Sequence, residues 1–336
     1  MSTIGDVAKR AGVSTMTVSR VINNSGYISQ ETRERVERAI AELGYVPNAL
    51  ARSLRFKRTK TIALILTDIT NPFFTTLARG IEDAASEQGF SVIFCNTDES
   101  KDEEAEYLSV VAQKQVDGVL LVPASSSAES VAFLRERGIP CVVLDRRVPD
   151  SAVDTVRGDS EAGAHQLTRH LLELGHRRIA LLNGPAAVST AADRLAGYRR
   201  ALDEAGLGSA ARVYEGAYTM ESGYRMALQL LADVPRPTAL FAANNFIAIG
   251  ALRALREAGL RVPDEISLAA FDDLPAAIMI EPFFTVVGQP AYEMGQQATW
   301  LLLNRLAGQG PTEPQEIVLP AQLIVRQSSA PPPAAR

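Results

Sequence analysis

The sequence predicts an α + α/β protein, in which a small helix-turn-helix domain and a hinge helix precede two Rossmann-like lobes with parallel sheets. Two observations support this fold class. Up to about residue 60, apolar residues recur only at helical spacing. Beyond it, short apolar runs alternate with helical stretches in two successive series, as expected of right-handed βαβ units. With 336 residues, the chain is long enough for a small domain and a two-lobed body.

The first two predicted helices form a helix-turn-helix. Apolar residues in the segment 4–11 fall at i, i+3, i+4 and i+7, and Gly12 ends this helix in a tight turn. Ser14 is a good N-cap for a second helix, which is predicted to bury Val18. The opposite face presents three side chains suited to the base edges of a major groove, namely Thr15, Met16 and Arg20.

A third helix and a short hinge segment follow. Ser29 is predicted to cap the third helix and Gly44 to end it. After Pro47, Asn48 can cap a helix at residues 49–55, whose length of about two turns is marginal for an isolated helix in water. We therefore expect it to order only on DNA and against a second copy of the chain. Leu54, within this helix, is suited to insert from the minor groove as a wedge that separates two stacked base pairs.

Charge is divided unevenly along the chain. Residues 1–60 contain 11 basic and 5 acidic side chains, whereas the remainder contains 23 basic and 34 acidic ones. A basic module on an acidic body is typical of a site-directed nucleic-acid-binding protein. For the stretch Lys57–Lys60 taken alone, a solvated charged surface explains the charges better.

The body contains apolar runs typical of parallel strands that are covered on both faces. Strands are predicted at residues 62–66, 92–94, 119–122 and 141–144, and then at 179–182, 239–242 and 267–271. Helices are predicted between them, for example at 77–88 and 103–114. The chain then returns with a strand at 286–287, a helix at about 291–307 and a last strand region near 317–325. After Ser328, the Pro/Ala-rich end is predicted to be disordered.

Polar residues follow the ends of these strands, where ligands of parallel α/β sheets bind. Amides and carboxylates can bind hydroxyl groups there, an arginine can donate to ring oxygens, and phenylalanine rings can cover the C–H side of a sugar. The candidate residues are Asn71, Phe73, Phe74, Asp145, Arg146, Arg194, Asn244, Asp272 and Gln289. Taken singly, each is better explained as a helix cap, a core residue or a structural ion pair, so the prediction depends on the whole set.

Other features argue against several kinds of site. No apolar run reaches the ~20 residues of a membrane-spanning helix, and we expect a cytoplasmic protein because no signal peptide is apparent. Cys95 and Cys141 are expected to be reduced, buried thiols. His165, His170 and His176 have no partners at metal-ligand spacing, and we interpret them as surface or capping residues. No catalytic group, metal or cofactor is predicted.

Residues 3–59 resemble the headpiece and hinge of the lactose-repressor (LacI/GalR) family. The matching motifs are Thr3-Ile4-x-Asp6-Val7-Ala8-x-x-Ala11-Gly12-Val13-Ser14, Thr17-Val18-Ser19-Arg20-Val21-Ile22-Asn23, Ser29-x-x-Thr32-Arg33 and Leu43-Gly44-Tyr45-x-Pro47-Asn48-x-x-Ala51-Arg52-x-Leu54. The resemblance implies that residues 15, 16 and 20 set operator preference and that Leu54 intercalates at the operator centre. The full set of expected DNA contacts is Thr15, Met16, Thr17, Arg20, Asn23, Ser29, Thr32, Tyr45, Asn48, Ala51, Leu54 and Arg55.

The body resembles the periplasmic sugar-binding fold, to which the effector domain of that family is related. In pentose-binding members the sugar contacts fall at the nine positions given above, and all nine residue types are present here. The resemblance covers about residues 3–328. It implies a sugar rather than a purine, because the purine-responsive branch carries an arginine near Val188. Asn245 departs from the aspartate common in the family, and the adjacent Arg146 and Arg147 could favour an acidic sugar or a sugar phosphate.

The predicted domains are a DNA-binding headpiece at 1–46, a hinge at 47–60, an effector-binding and dimerisation domain at 61–328 and a tail at 329–336. The resemblance implies a homodimeric transcriptional regulator on a pseudo-palindromic operator, most often a repressor that a sugar inducer releases. A regulator activated by a corepressor or a partner protein is the alternative. The added headpiece argues against a transport receptor. The absence of G-x-G-x-x-G, P-loop and G-x-S-x-G motifs argues against an enzyme.

Overall fold

The computed structural model describes residues 2–46, 58–149, 151–274 and 281–333. The chain divides into two compact units, Met1–Thr59 and Lys60–Arg336. Four of the expected DNA contacts lie outside the described residues, namely Asn48, Ala51, Leu54 and Arg55.

The described part of the N-terminal unit contains three helices, namely α1 (Ile4–Ala11), α2 (Thr15–Ile22) and α3 (Gln30–Leu43). The predicted caps are confirmed, because the Ser14 and Ser29 hydroxyls accept the backbone N–H groups three residues further on. Gly12 and Gly44 end α1 and α3 at φ +66° and +55°, in the left-handed region that glycine adopts without strain. The centre of the core consists of Val7, Val18 and Val36.

Two α/β lobes form the second unit. The first lobe contains β1 (Thr61–Leu66), α4 (Pro72–Glu87), β2 (Ser91–Asn96), α5 (Lys101–Gln113), β3 (Gly118–Leu121), α6 (Glu129–Glu136), β4 (Cys141–Leu144) and β5 (Asp154–Gly158). The second contains α7 (Ser160–Glu173), β6 (Ile179–Asn183), α8 (Ser189–Glu204), β7 (Arg212–Glu215), α9 (Met220–Leu231), β8 (Ala239–Ala242), α10 (Asn245–Glu257), β9 (Ser267–Phe271) and β10 (Thr285–Gly288). The remaining elements are α11 (Ala291–Leu306), β11 (Glu316–Leu319) and β12 (Gln322–Ile324).

Each lobe has a six-stranded sheet, with the orders β11-β5-β4-β3-β1-β2 and β12-β10-β9-β8-β6-β7. All neighbours are parallel except β10 and β12. Alternate residues face different helices, so that Ile62 packs with α4 and α11 whereas Ala63 packs with α5 and α6. The expected burial on both faces is wrong for β2, where Ile93 and Phe94 are 38% and 43% exposed, because β2 is an edge strand.

The chain crosses between the lobes three times, after β5, after β10 and after β11. The predicted last strand region at 317–325 is therefore corrected to two short strands in different sheets, β11 and β12, on either side of Pro320. Two crossings pack tightly together, since a Cβ at Gly158 would lie 1.9 Å from Gln289 Oε1. A side chain at position 158 would therefore displace the amide of Gln289.

A reciprocal pair of amides joins the lobes directly. Asn71 caps α4 in the first lobe, and Asn245 begins α10 in the second. Asn71 Nδ2 donates to Asn245 Oδ1 at 3.1 Å, and Asn245 Nδ2 donates to Asn71 Oδ1 at 3.0 Å. Both side chains are buried, and Asn71 Oδ1 also accepts the backbone N–H of Phe73. The departure of Asn245 from aspartate thus gives this pair a donor that a carboxylate lacks.

The C-terminal segment is fixed to the second lobe by a buried histidine. His176 is 1% exposed, and its Nε2–H donates to the carbonyl of Ala330 at 2.9 Å while Nδ1 accepts from the Thr238 hydroxyl. The Ala330 backbone N–H donates to Ser267 Oγ. The interpretation of His176 as a surface residue is therefore wrong, because sequence spacing did not show these distant partners. The disorder predicted from residue 329 is likewise wrong for residues 329–330, which are hydrogen-bonded.

The two cysteines and the possibility of a membrane-spanning helix were also addressed from the sequence. Cys95 is buried and Cys141 is half-buried, and both are free thiols. Burial raises the pKa of Cys141 to about 12, which disfavours its reactive thiolate. Within the described ranges, no helix has both the length and the apolar character needed to span a bilayer.

We expect the His176 contacts to make stability depend on pH. Burial lowers the pKa of His176, so the folded state favours the neutral ring, and protonation of the unfolded chain removes stability as the pH falls below about 6.5. His176→Gln should lower the free energy of unfolding by about 1–2 kcal/mol at pH 7.5. The difference from wild type should shrink by pH 5.5 in urea unfolding followed by circular dichroism. His165→Gln, outside this cluster, is the control, and a His176 difference independent of pH would contradict the assignment.

We also expect Asn71 and Asn245 to be energetically coupled. In a double-mutant cycle of alanine substitutions, the coupling in the free energy of unfolding should be about 1 kcal/mol, because either single substitution breaks both amide hydrogen bonds. A control cycle pairs Asn245 with Asn96, whose side chain bonds Ile69 and Asp98 instead. Equal coupling in the two cycles would show that the amide pair has no specific energetic role.

Candidate functional site

An exposed face of α2 in the N-terminal unit carries side chains that make few contacts within the unit. Thr15, Met16 and Arg20 are exposed on α2, and Met16 has 63% of its surface accessible. Arg20 makes no hydrogen bond or ion pair to the described residues. The guanidinium and the hydroxyl can donate to base edges, and the methyl groups of Met16 and Thr15 can contact thymine methyl groups.

The other expected DNA contacts in this unit partly serve the fold. Thr17 Oγ1 lies 3.0 Å from the capping hydroxyl of Ser14, and Asn23 Nδ2 donates to the carbonyl of Ser19. Ser29 and Thr32 share a hydrogen bond at the start of α3. Tyr45 is half-buried against the helical core. These groups support the surface around α2. Tyr27, which follows α2 in the chain and is 93% exposed, was not among the DNA contacts expected from the sequence.

A cavity of about 370 Å³ lies between the two lobes, where strand ends of both sheets meet. Seven of the nine predicted sugar contacts line it, namely Asn71, Phe73, Phe74, Asp145, Arg194, Asn244 and Asp272. The other described lining residues are Thr67, Asp68, Thr70, Asp98, Glu99, Pro185, Thr190, Ala217, Tyr218 and Thr219. Arg146 and Gln289 are not part of this wall and lie behind it, in contact with wall residues.

Arg194 and Asp272 form the charged centre of the second-lobe wall. The Arg194 guanidinium stacks 4.0 Å from the ring centroid of Phe271 and donates to the carbonyl of Ala243 at 2.5 Å. Its NH2 lies 3.8 Å from Asp272 Oδ2, and Gln289 Nε2 donates to Asp272 Oδ1 at 2.7 Å. Gln289 thus orients a wall carboxylate rather than forming the wall itself.

Arg146 is engaged on the first-lobe side. Its NH1 and NH2 donate to the two carboxylate oxygens of Glu99 at 2.7 and 2.5 Å, and NH1 also donates to the carbonyl of Pro123. The side chain is only 2% exposed. The neighbouring Arg147 pairs with Asp193. The argument for an acidic ligand from two adjacent arginines therefore loses its basis, because each faces a carboxylate.

Two buried carboxylates in the wall are electrostatically unusual. Burial raises the pKa of Asp145 to about 6, against the opposing charges of Arg194 and Arg146. Burial likewise raises the pKa of Asp272, while Arg194 and the Gln289 hydrogen bond act in the opposite direction. Both carboxylates are better stabilised as anions when further hydroxyl donors reach them.

Backbone strain and unpaired polar atoms concentrate at this cavity. Asp98, Glu99, Asp145 and Asp272 have φ between +46° and +65°, a region that residues with a Cβ rarely adopt. Three buried wall atoms have no hydrogen-bond partner among the described residues, namely Thr67 Oγ1, Asp145 Oδ1 and Arg194 Nε. Such features cluster where a fold is built to bind a polar ligand.

Sequence analysis missed several wall residues. Asp98 and Glu99 follow β2 as the predicted residues follow their strands, so the same strand-end rule could have found them. Thr190 lies in the first turn of α8, and Tyr218 lies in the connection between β7 and α9. Tyr218 packs so closely on Gly184 that a Cβ at Gly184 would lie 2.2 Å from Tyr218 Cζ. No spacing signal marks these two. Among the described residues, no cluster of three or more His, Cys, Asp or Glu could hold a metal ion.

Family models match both parts of the chain. A model of periplasmic binding proteins and the sugar binding domain of the LacI family matches residues 59–327. A model of bacterial regulatory proteins of the lacI family matches residues 3–48. The two matches account for the two-lobed unit and for the three-helix unit respectively.

Three relatives are similar over 98% of this chain. The HTH-type transcriptional regulator DegA of Bacillus subtilis (strain 168) is 40% identical, with 98% of its own length covered. The ribose operon repressor of Halalkalibacterium halodurans is 38% identical, with 97% covered. The HTH-type transcriptional repressor PurR of Haemophilus influenzae (strain PittEE) is 37% identical, with 98% covered.

Solved structures agree with these matches. The lac repressor dimer bound to operator and the anti-inducer ONPF has a TM-score of 0.86 and 30% identity, over 98% of this chain and 99% of that one. A LacI family transcriptional regulator from Enterococcus faecium with bound ribose has a TM-score of 0.73 and 34% identity, over 81% and 99%. This chain therefore belongs to the LacI family of DNA-binding transcriptional regulators, a family of non-enzymatic proteins.

Proposed function

We propose that this protein is a homodimeric repressor of carbohydrate-metabolism genes, released from its operator by a sugar inducer. The observation that carries the proposal is the inter-lobe cavity, whose wall joins seven predicted sugar contacts to buried polar atoms without partners. Its volume of about 370 Å³ falls within the range of small-molecule sites.

The chemistry of the wall favours a neutral sugar. Among the described lining residues, five carboxylates face one guanidinium, and the arginine nearest to the wall, Arg146, already pairs with Glu99. Carboxylates accept hydrogen bonds from sugar hydroxyls, whereas an acidic sugar or a sugar phosphate would be repelled. Phe73 and Phe74 meet edge to face and offer an apolar surface to the ring. The ribose named for two relatives makes D-ribose the first compound to test.

The exposed face of α2 is proposed to enter the major groove, with Arg20 donating to guanine. Two copies related by two-fold symmetry would bind matched half-sites of a pseudo-palindromic operator. Asn48, Ala51, Leu54 and Arg55, outside the described residues, are proposed to contact the minor groove, with Leu54 as the wedge. The protein is proposed to act in the cytoplasm, where the operator DNA lies.

Control by a corepressor is the second candidate, because the PurR relative is similar over the whole chain. A ligand releases the operator if it binds better to the state with separated hinges, and tightens binding if it prefers the paired state. Val188 lies where the purine-responsive branch carries an arginine, and this difference favours a sugar over a purine as the effector. Titration of the operator complex with D-ribose and with hypoxanthine distinguishes the two, and the absence of any small-molecule response would favour a partner protein.

We expect Arg20→Ala to weaken discrimination between operator and random DNA by about 1–3 kcal/mol, because it removes a donor to base edges. The operator would be selected from a random duplex pool, and affinities would be measured by fluorescence anisotropy. Arg35→Ala removes the same charge from the exposed surface of α3 and should lower both affinities together. If Arg20→Ala also lowers both equally, Arg20 contacts phosphate and not bases.

We expect Asp272→Asn to weaken the response to D-ribose by about ten- to a hundredfold, because a charge-assisted hydrogen bond to a sugar hydroxyl is lost. Operator affinity without sugar should remain unchanged. The matched control is Asp273→Asn, since Asp273 pairs with Arg326 and is not part of the cavity wall. A half-maximal ribose concentration that is the same for Asp272→Asn and wild type would remove Asp272 from the site.

A further inference from the structure

An arginine lies behind the cavity wall, where a wall carboxylate occupies its guanidinium. Arg146 lies directly after Asp145, yet both of its terminal nitrogens donate to Glu99 and one also donates to the carbonyl of Pro123. Its Nε lacks a hydrogen-bond partner and lies 4.0 Å from Asp145 Oδ2. Glu99, which lines the cavity, therefore stands between the guanidinium of Arg146 and the space that a ligand would occupy.

The turn after β2 delivers Glu99 to this position. Asp98 and Glu99 adopt φ of +46° and +60°, two successive left-handed residues that carry side chains. The turn is held by the Glu99 backbone N–H, which donates to the carbonyl of Thr67, and by Asn96 Nδ2, which donates to Asp98 Oδ1. A strained turn that is fixed at both residues keeps the Glu99 carboxylate beside Arg146.

The remaining arginines near the cavity also face carboxylates. Arg194 stacks on Phe271 and faces Asp272, and Arg147 pairs with Asp193. With Glu99 in place, an anionic ligand group meets a wall with excess negative charge, and the unpartnered Nε of Arg194 belongs to a guanidinium that already faces Asp272. Removal of the Glu99 charge would free both terminal nitrogens of Arg146 for a bidentate pair with a ligand.

We propose that Glu99 is a specificity-determining residue, which restricts this cavity to uncharged sugars by occupying the guanidinium of Arg146. Arg146 supplies the anion-binding geometry, and Glu99 supplies an internal carboxylate in place of one from a ligand. The inference deepens the proposed sugar-binding function and depends on it for the choice of compounds. This role predicts that Glu99→Gln weakens the preference for a neutral sugar and allows the corresponding sugar acid to bind.

The test measures D-ribose and D-ribonate binding to full-length protein by titration calorimetry at pH 7.5. Wild type should bind D-ribose and should bind D-ribonate much more weakly. Glu99→Gln should raise the affinity for D-ribonate about ten- to a hundredfold relative to D-ribose, as expected for a new charge-assisted pair. Asp98→Asn is the matched control, because it removes the same charge from the same turn and the same wall without a hydrogen bond to Arg146. It should not produce this gain.

A second variant covers the case in which Glu99→Gln leaves Arg146 uncompensated and the protein does not fold. Glu99→Asp keeps the charge but shortens the side chain, so it should loosen the bidentate pair and give a smaller gain in D-ribonate affinity. No gain in any folded Glu99 variant, or an equal gain in Asp98→Asn, overturns the proposal.

The outcomes separate this inference from the proposed function. D-ribonate binding by Glu99→Gln, without D-ribose binding by wild type, supports the role of Glu99 and contradicts ribose as inducer. D-ribose binding by wild type with an unchanged acid-to-sugar ratio in the Glu99 variants supports the inducer and overturns the role of Glu99.

Discussion

Compensation of buried charge is the constraint on which the two-lobed unit depends. Strand ends of both sheets meet at the inter-lobe cavity, and Arg146, Arg194 and Asp272 are almost completely buried there. A buried charge without a partner costs several kcal/mol, so each must meet an opposite charge or a dipole. Glu99 compensates Arg146, and a carboxylate, a carbonyl and an aromatic face compensate Arg194. The site is thus assembled from pairs whose members come from different strands and helices, and it depends on the correct docking of these elements.

Local rules were sufficient for the N-terminal unit and for most strands. The Ser14 and Ser29 caps act over three residues, so the starts of α2 and α3 could be placed from sequence alone. The exposure of Phe94 could not, because it depends on β2 lying at an edge, which follows from strand order. The burial of His176 depends on Ala330, 154 residues away in the chain. Such contacts leave no periodic signal in the sequence.

The strand-end rule and the family resemblance together located seven residues of the cavity wall, because parallel sheets place their carboxyl ends on one side. They did not predict that Arg146 and Gln289 act through wall carboxylates. Residue type identifies a donor but not the acceptor that it meets, and the acceptor of Arg146 is Glu99, 47 residues earlier. The relatives include both a ribose operon repressor and the repressor PurR, each similar over 98% of this chain, so overall similarity does not identify the effector. The sign of control depends on which state of the protein a ligand prefers.

The contact between Asn71 and Asn245 joins the lobes through uncharged groups. Dissolved ions screen attractions between charges, whereas a buried pair of amides carries no net charge to be screened. Amides also do not titrate in the range in which Asp145, with a pKa of about 6, changes its charge. The lobes are therefore joined here by a bond of constant strength under changes of ionic strength and acidity. With an aspartate at position 245, the strength of this contact would depend on both ionic strength and pH.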